Sequence, residues 1–187
     1  GNMKKSLNNF VIADPSKCIG CKACEVACFV VHNANNNVGY TVGTVTTPII
    51  PRLNVIREGD FTMPIQCRHC EDAPCANSCT VGAIKQKDNI IFIEEKACIG
   101  CKICLLACPF GAIDLLPQYD NGKPVVQLTL EEDKKMGYKC DLCKDSEKPA
   151  CIKACPKEAL SLVEPFKEQK SKKIKAGLSL LEVFKNV

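Results

Sequence analysis

The sixteen cysteines of this 187-residue chain fall into four groups of four, and none is left over. The first and third groups share the compact spacing C-x2-C-x2-C-x3-C, whereas the second and fourth have a longer gap before their third cysteine. The order compact, loose, compact, loose indicates an internal repeat, which constrains the fold more than local propensity does. The groups are Cys18, Cys21, Cys24 and Cys28; Cys67, Cys70, Cys75 and Cys79; Cys98, Cys101, Cys104 and Cys108; and Cys140, Cys143, Cys151 and Cys155.

The composition favours bound metal, rather than disulfide bonds, as the partner of these thiols. Aromatic residues make up only 5% of the chain and Trp is absent, so a large aromatic core is excluded. The first residues, GNMKKSLNNFVIADPS, lack the apolar stretch and cleavage site of an export signal. No apolar run approaches the roughly 18 residues of a membrane span. We therefore expect a cytoplasmic protein, in which thiols stay reduced.

The compact spacing is the run found in bacterial ferredoxins. There the first three thiolates hold one [4Fe–4S] cluster, and the fourth binds the cluster of a partner group. Pro follows Cys108 and Cys155 as in that run, whereas other residues follow Cys28 and Cys79. Sixteen thiolates therefore suit four [4Fe–4S] clusters. The alternatives are zinc knuckles, which usually need two separated C-x2-C pairs per ion, and ordinary buried cysteines.

The four motifs, in their order, resemble the four-cluster ferredoxin-type subunits of molybdopterin oxidoreductases. The resemblance covers about residues 10–165 and rests on CIGCKACEVAC, CRHCEDAPCANSC, CIGCKICLLACPFGAI and CDLC with PACIKACPKEAL. It is strongest to the small iron–sulfur subunits associated with formate dehydrogenase and hydrogenase, as in formate hydrogenlyase or hydrogen-dependent carbon dioxide reductase. It implies a relay of electrons between a formate dehydrogenase (carbon dioxide reductase) and a hydrogenase. Further ferredoxin-like subunits are also expected partners.

The same resemblance implies a ligand set for each cluster, because group one pairs with group four and group two with group three in that family. The residues alone also permit pairing of one with two and of three with four. Carried over, the four sets are Cys18, Cys21 and Cys24 with Cys155; Cys140, Cys143 and Cys151 with Cys28; Cys67, Cys70 and Cys75 with Cys108; and Cys98, Cys101 and Cys104 with Cys79.

The remaining residues favour an electron carrier over an enzyme. No cysteine is spare for an open catalytic iron, and no Gly-rich phosphate motif is present. Of the two histidines, His32 and His69, the second lies inside CRHC, where we expect it to tune a cluster or simply to fill the loop. The formal charge of +4 does not predict nucleic-acid binding, because four clusters at about −2 each would bring it to about −4. The other candidates are an electron-transfer subunit of another molybdenum or tungsten enzyme, a zinc-binding interaction module and an autonomous enzyme.

The predicted fold class is α+β, with tandem ferredoxin-like modules, short β-hairpins and a C-terminal amphipathic helix. Strands are expected at FVIAD, IIFIEE and ALSLVEP, and hairpins over RLNVIREGDFTMPIQ, AIKQKDNIIFI and AIDLLPQYDNGKPVVQLTL. The polar segment 32–47 is expected to form a surface loop. The predicted organisation is an N-terminal extension (1–9, beginning with a cloning remnant, Gly-Asn), a four-cluster domain (10–165, with repeats at about 10–90 and 91–165) and a tail (166–187).

The tail combines a basic segment, KSKKIK, with apolar residues at helical spacing. Ile174, Leu178, Leu181 and Phe184 would lie on one helical face, although Gly177 weakens a long helix. Such a helix could pack on its own core, dock on a partner subunit or on another copy of the chain, or lie on a membrane surface. We favour protein–protein assembly.

Overall fold

The computed structural model describes residues 7–34, 43–127 and 132–185. The helices are α1 (Ala23–His32), α2 (Pro74–Asn77), α3 (Ile103–Ala107), α4 (Ala150–Ala154) and α5 (Pro165–Lys185). The strands are β1 (Phe10–Ala13), β2 (Asn54–Glu58), β3 (Phe61–Ile65), β4 (Ile84–Lys87), β5 (Ile90–Ile93), β6 (Asp114–Pro117), β7 (Tyr119–Asp120), β8 (Lys123–Pro124), β9 (Val126–Gln127), β10 (Glu132–Asp133), β11 (Lys135–Tyr138) and β12 (Leu160–Val163). Short helices and small antiparallel strand pairs confirm the α+β class.

Two of the three predicted hairpins form over their predicted segments, whereas the third pairs only near its turn because β6 pairs with β11 instead. β2 pairs with β3 around the Gly59 turn, and β4 pairs with β5 around Asp88 and Asn89, which both have positive φ. β7 pairs with β8 around Asn121 and Gly122, the turn expected from the sequence DNG. Residues 128–130, which end the third predicted hairpin, lie outside the described residues, as do residues 35–42 of the predicted loop.

Two strand pairs join segments that are distant in the chain. β1 and β12 pair antiparallel from Phe10 opposite Val163 to Ala13 opposite Leu160, so the start and the end of the cysteine-rich region lie side by side. β6 pairs with β11 in the same way. The sequence predicted β1 and β12 as strands, but it did not predict either pairing. The division into repeats at about residue 90 stays a prediction.

Each short helix carries cysteines of one group. α1 and α3 both begin after a lysine with left-handed backbone, Lys22 at φ 62° and Lys102 at φ 71°. α2 and α4 begin at or just after a proline, which is preorganised for the first helical turn. α1 packs against α4, and α2 packs against α3. The helices of groups one and four are therefore neighbours, as are those of groups two and three.

The buried core consists largely of the cysteines and the small apolar residues around them. One part gathers residues around groups one and four, including Val11, Leu53 and Leu160. The other lies around groups two and three and is built on Ile91, Ile93 and Ile113. Large aromatic side chains contribute little to either part. The cysteines thus occupy the volume in which most domains of this size place a hydrocarbon core.

α5 is one continuous helix that passes through Gly177. None of its residues is buried, and the predicted apolar face is open, from Ile174 at 53% exposure to Phe184 at 74%. The alternative in which this helix packs back on its own core is therefore wrong. No helix among the described residues is both long enough and apolar enough to cross a membrane.

Candidate metal centres

The first three cysteines of group one and the last of group four lie around one cavity. Cys18, Cys21, Cys24 and Cys155 line a small apolar cavity of about 20 Å³. Gly20, at φ 69°, and Lys22 turn the connecting loop around this space. Burial raises the pKa of the Cys24 thiol to about 11, so an unliganded thiol here stays protonated at neutral pH. A cationic metal centre would be needed to hold it as a thiolate.

A second cavity repeats this arrangement with groups three and two. Cys98, Cys101, Cys104 and Cys79 line a small apolar cavity of about 20 Å³. Gly100 has φ 69°, the same conformation as Gly20, and the following Lys102 is again left-handed. Burial raises the pKa of Cys104, and the neighbouring Cys98, Cys101 and Cys79 raise it further. The two compact motifs therefore have the same local structure.

The third set of thiols is the most deeply buried. Cys140, Cys143 and Cys151 of group four are buried, and Cys28 of group one is 4% exposed beside them. Burial, together with the neighbouring Cys143 and Cys151, raises the pKa of Cys28 to about 12. Burial likewise raises the pKa of Cys151 to about 12. Four thiols from two distant segments thus share one desolvated site.

The fourth set joins group two with the last cysteine of group three. Burial raises the pKa of Cys70, and the nearby Cys67 and Cys108 raise it further. The same two neighbours raise the pKa of Cys75, which burial brings to about 11. Each set therefore combines three cysteines of one group with the fourth cysteine of its partner.

The sulfur atoms also accept hydrogen bonds from backbone N–H groups in all four sets. The fourth cysteine of three groups accepts one from the residue four positions later, as in Ala159 N to Cys155 Sγ at 3.3 Å. Cys28 accepts one from Arg52 at 3.3 Å. Further donors reach Cys67, Cys98, Cys140 and Cys143. Such donors favour the anionic thiolate, so these sites fit an iron–sulfur cluster.

The structure does not bring the described side chains together as ligands of a single metal ion. Among residues 7–34, 43–127 and 132–185, no group of three or more His, Cys, Asp or Glu side chains is placed to hold one ion. Zinc bonds to thiolate at about 2.3 Å, which would draw four sulfurs closely together. The arrangement therefore gives no support to a zinc module.

Charged side chains that the sequence analysis did not single out surround the third set. Asp141 accepts a hydrogen bond from Arg52 Nη1 at 3.0 Å, and its Oδ1 lies 2.8 Å from His32 Nε2. Burial raises the pKa of Asp141, but the His32 hydrogen bond and the Arg52 charge outweigh it and hold the pKa well below its usual range. Arg52 also pairs with Glu95 at 2.7 Å. The only sequence signal was the position of Asp141 between two ligands in CDLC.

His69 and Lys139 are buried together at the centre of the molecule. His69 is fully buried, and its Nδ1 accepts a hydrogen bond from the Ile91 N–H at 2.9 Å. Burial and the Lys139 charge lower the pKa of His69 to about 3, so the ring is neutral at pH 7. Lys139 is 2% exposed and donates to the Ile91 and Cys140 carbonyls. The tuning role expected for His69 stays a prediction, and Lys139 was missed.

The comparisons with known proteins agree with this geometry. A 4Fe-4S dicluster domain matches residues 60–165, more than half of the chain. The electron transport protein HydN of Escherichia coli K12 is 42% identical over 84% of this chain and 89% of its own length. Hydrogenase-4 component A of the same organism is 34% identical over 92% and 91%. An iron-sulfur protein of Rhodospirillum rubrum is 37% identical over 84% and 83%. The ferredoxin-type resemblance is confirmed, and the chain belongs to the 4Fe-4S dicluster domain family.

Proposed function

We propose that this chain is a non-catalytic electron-transfer subunit that carries four [4Fe–4S] clusters. One observation carries the proposal: four separate sets of four thiols, each with three cysteines from one group and one from its partner. Iron–sulfur clusters held by four thiolates exchange single electrons and offer no open position for a substrate. Transfer of electrons is the chemistry that such sites support.

The proposed ligand sets follow the pairing of group one with group four and of group two with group three. The two cavities, the thiol neighbours and the contacts of α1 with α4 and of α2 with α3 support this pairing. The proposed sets are Cys18, Cys21, Cys24 and Cys155; Cys28, Cys140, Cys143 and Cys151; Cys67, Cys70, Cys75 and Cys108; and Cys79, Cys98, Cys101 and Cys104. In the same way, we propose two repeats, at about 10–90 and 91–165, that exchange these fourth ligands.

The exposure of the cysteines suggests an order for the clusters. Cys21 and Cys101 are the two exposed cysteines, and they belong to the two cavity sites. Neither of the other two sites contains an exposed cysteine, and one of them contains the two most buried thiols, Cys28 and Cys151. Cys24 lies close enough to raise the pKa of Cys151, which links the first cavity site to its interior neighbour. We therefore place the cavity sites at the ends of a relay and the buried sites in its interior.

The partners we propose are a formate dehydrogenase-type subunit at one end and a hydrogenase subunit at the other, in a cytoplasmic complex. One relative is named as a component of hydrogenase-4, which supports the second partner. Apolar side chains stand open beside both exposed cysteines, with Ile19 at 52% and Ile99 at 60% exposure. α5 offers a further apolar face for assembly with another subunit or with another copy of the chain.

The first experiment is the iron and sulfide content of the anaerobically purified chain, with EPR of the reduced protein. We expect about sixteen iron and sixteen sulfide per chain, and signals from interacting reduced clusters. Zinc without sulfide would refute the electron-transfer function and leave a structural metal protein. About twelve iron would mean that one site is lost, and the loosely spaced Cys140–Cys155 group is then the first to test.

The partner enzyme is tested separately, by purifying the native complex through a tag on this chain. Formate dehydrogenase-type and hydrogenase subunits in one complex would support the proposed pair. A molybdenum or tungsten subunit without a hydrogenase would replace it with the alternative of a different oxidoreductase. Turnover of formate or hydrogen by the isolated chain would contradict the non-catalytic assignment.

A further inference from the structure

Lys139 and His69 meet at one backbone residue of β5. The Ile91 N–H donates to His69 Nδ1, and the Ile91 carbonyl accepts from Lys139 Nζ. His69 lies between Cys67 and Cys70 of group two, whereas Lys139 directly precedes Cys140 of group four. Ile91 is itself 1% exposed. The contact therefore joins the two interior sites where no solvent reaches.

The charge of Lys139 lacks a counterion among the protein groups around it. Its ammonium forms no ion pair with a carboxylate in the described part of the chain. Its two hydrogen-bond acceptors are the neutral carbonyls of Ile91 and Cys140. The nearby carboxylate of Asp141 is instead hydrogen-bonded to Arg52 and His32. A buried cation of this kind is costly unless an anion compensates it.

Thiols from both interior sites lie within the field of this charge. Burial raises the pKa of Cys75, and the Lys139 charge is the largest influence that opposes the rise. The same charge opposes the rise that burial causes at Cys140. Cys75 belongs to group two and Cys140 to group four. One ammonium thus acts on ligands of two different sites.

His69 has a hydrogen-bond donor to spare at the same place. Because Nδ1 accepts from the Ile91 N–H, the proton of the neutral ring is on Nε2. Nε2 is buried and has no hydrogen-bond partner among the described residues. Asn8 holds the loop in place, because its amide donates to the His69 carbonyl at 2.8 Å. A buried N–H without a partner is costly, and a cluster sulfur is a suitable acceptor.

We propose that Lys139 is a positioning residue that raises the reduction potentials of the two interior clusters. The Ile91 carbonyl holds its ammonium in place, and the His69 Nε2–H acts in the same direction as a hydrogen-bond donor. The inference rests on the proposed four-cluster function. Each cluster gains one negative charge on accepting an electron, so a fixed positive charge nearby stabilises the reduced form. The electron comes from the adjacent cluster or from a partner enzyme. The interior of the relay then holds electrons more tightly than its two ends.

The test is an EPR-monitored redox titration of the holo-protein and its Lys139→Met, Lys139→Gln and Lys139→Arg variants. Met keeps the length of the side chain without charge, Gln keeps a donor without charge, and Arg keeps the charge. Lys148→Met is the matched control, because Lys148 is exposed and lies three residues before Cys151. Iron and sulfide are counted first in every sample, so a failure of the four-cluster function is recognised before any potential is compared.

We expect two of the four titration steps to change in Lys139→Met and Lys139→Gln. In those steps, the ratio of reduced to oxidised protein at a given applied potential should fall about tenfold or more. A tenfold change is about 59 mV for a one-electron couple. Lys139→Arg and Lys148→Met should stay within about twofold of the wild type, the latter because solvent screens the charge of Lys148. If both neutral variants lose about half of their iron while Lys139→Arg keeps all of it, the charge requirement is likewise supported.

Three results would overturn the inference. The first is a ratio of reduced to oxidised protein that stays within about twofold of the wild type in every titration step, in neutral variants that contain all of their iron. The second is an equal shift in Lys148→Met, which would indicate a non-specific effect of net charge. The third is loss of iron in Lys139→Arg as well, which would assign Lys139 a purely structural role. Lowered potentials in His69→Phe would separately support the part played by the Nε2–H, and unchanged potentials would remove it.

Discussion

Gly100→Ala is expected to destabilise the protein more than Gly20→Ala, although the two glycines are equivalent in sequence. Both lie in the sequence CIGCK of a compact group, and both have φ 69°. Their surroundings differ. A Cβ at Gly100 would collide with the backbone carbonyl of Lys135, whereas a Cβ at Gly20 would meet the Thr62 and Arg57 side chains at 3.0 and 3.1 Å.

The magnitude follows from two separate costs. A non-glycine residue with left-handed backbone costs about 1–2 kcal/mol, and this cost applies at both positions. Overpacking against atoms that cannot move adds about 1–3 kcal/mol. It applies at Gly100, because Lys135 is held in β11 opposite Pro117 of β6. Arg57 is exposed and its side chain can move away from Gly20. The difference between the two variants is therefore about 2 kcal/mol.

The assay is anaerobic thermal unfolding of the holo-proteins, followed by circular dichroism and by the visible absorbance of the clusters. A difference of about 2 kcal/mol corresponds to a melting temperature about 4–8 °C lower for Gly100→Ala than for Gly20→Ala. We also expect Gly100→Ala to lose iron from the group-three site first. Equal melting temperatures, or a lower value for Gly20→Ala, would refute the steric argument and leave only the shared backbone cost.

Two further predictions concern the buried charges and the terminal helix. Asp141→Asn should lower the free energy of unfolding by about 3 kcal/mol in denaturant titrations, because it leaves the charge of the partly buried Arg52 without its buried partner. Lys167→Met, at an exposed ion pair, should cost less than about 1 kcal/mol. The depressed pKa of Asp141 stabilises the fold above about pH 4 and this contribution is lost as the pH falls further, so Asp141→Asn should show a weaker acid dependence. Deleting residues 165–187 should leave the iron content and the melting temperature unchanged, since no described residue of α5 is buried. The deletion should reduce the size of the assembly measured by light scattering. Loss of iron on deletion would contradict the prediction that the cluster sites do not depend on α5.

Much of the local structure could be predicted because it depends on neighbouring residues. The turn sequences EGD, KDN and DNG placed the hairpins, and short β-rich runs placed β1, β5 and β12. The basic and apolar pattern after Pro165 predicted α5, including its amphipathic face. The spacing of the cysteines indicated the ferredoxin-type family, which the comparisons confirmed.

Long-range pairings could not be predicted from such patterns. The antiparallel pair of β6 and β11 brings the Lys135 carbonyl against Gly100, which is why the two CIGCK motifs are expected to differ in their tolerance of alanine. His32 and Asp141 are 109 positions apart, and nothing in either segment indicates the other. In CRHC and in the KCDLC segment, His69 and Lys139 look like ordinary loop residues until β5 brings them together.

The sequence by itself determined the kind of site, because ligand chemistry is a property of residue type and spacing, and sixteen grouped thiols suit iron–sulfur clusters. Only the tertiary structure brought thiols of distant groups close together and decided which charges are removed from water beside them. Both depend on burial, which arises when distant segments pack. That packing places the Cys28 thiol beside group four and buries the ammonium of Lys139 without a counterion.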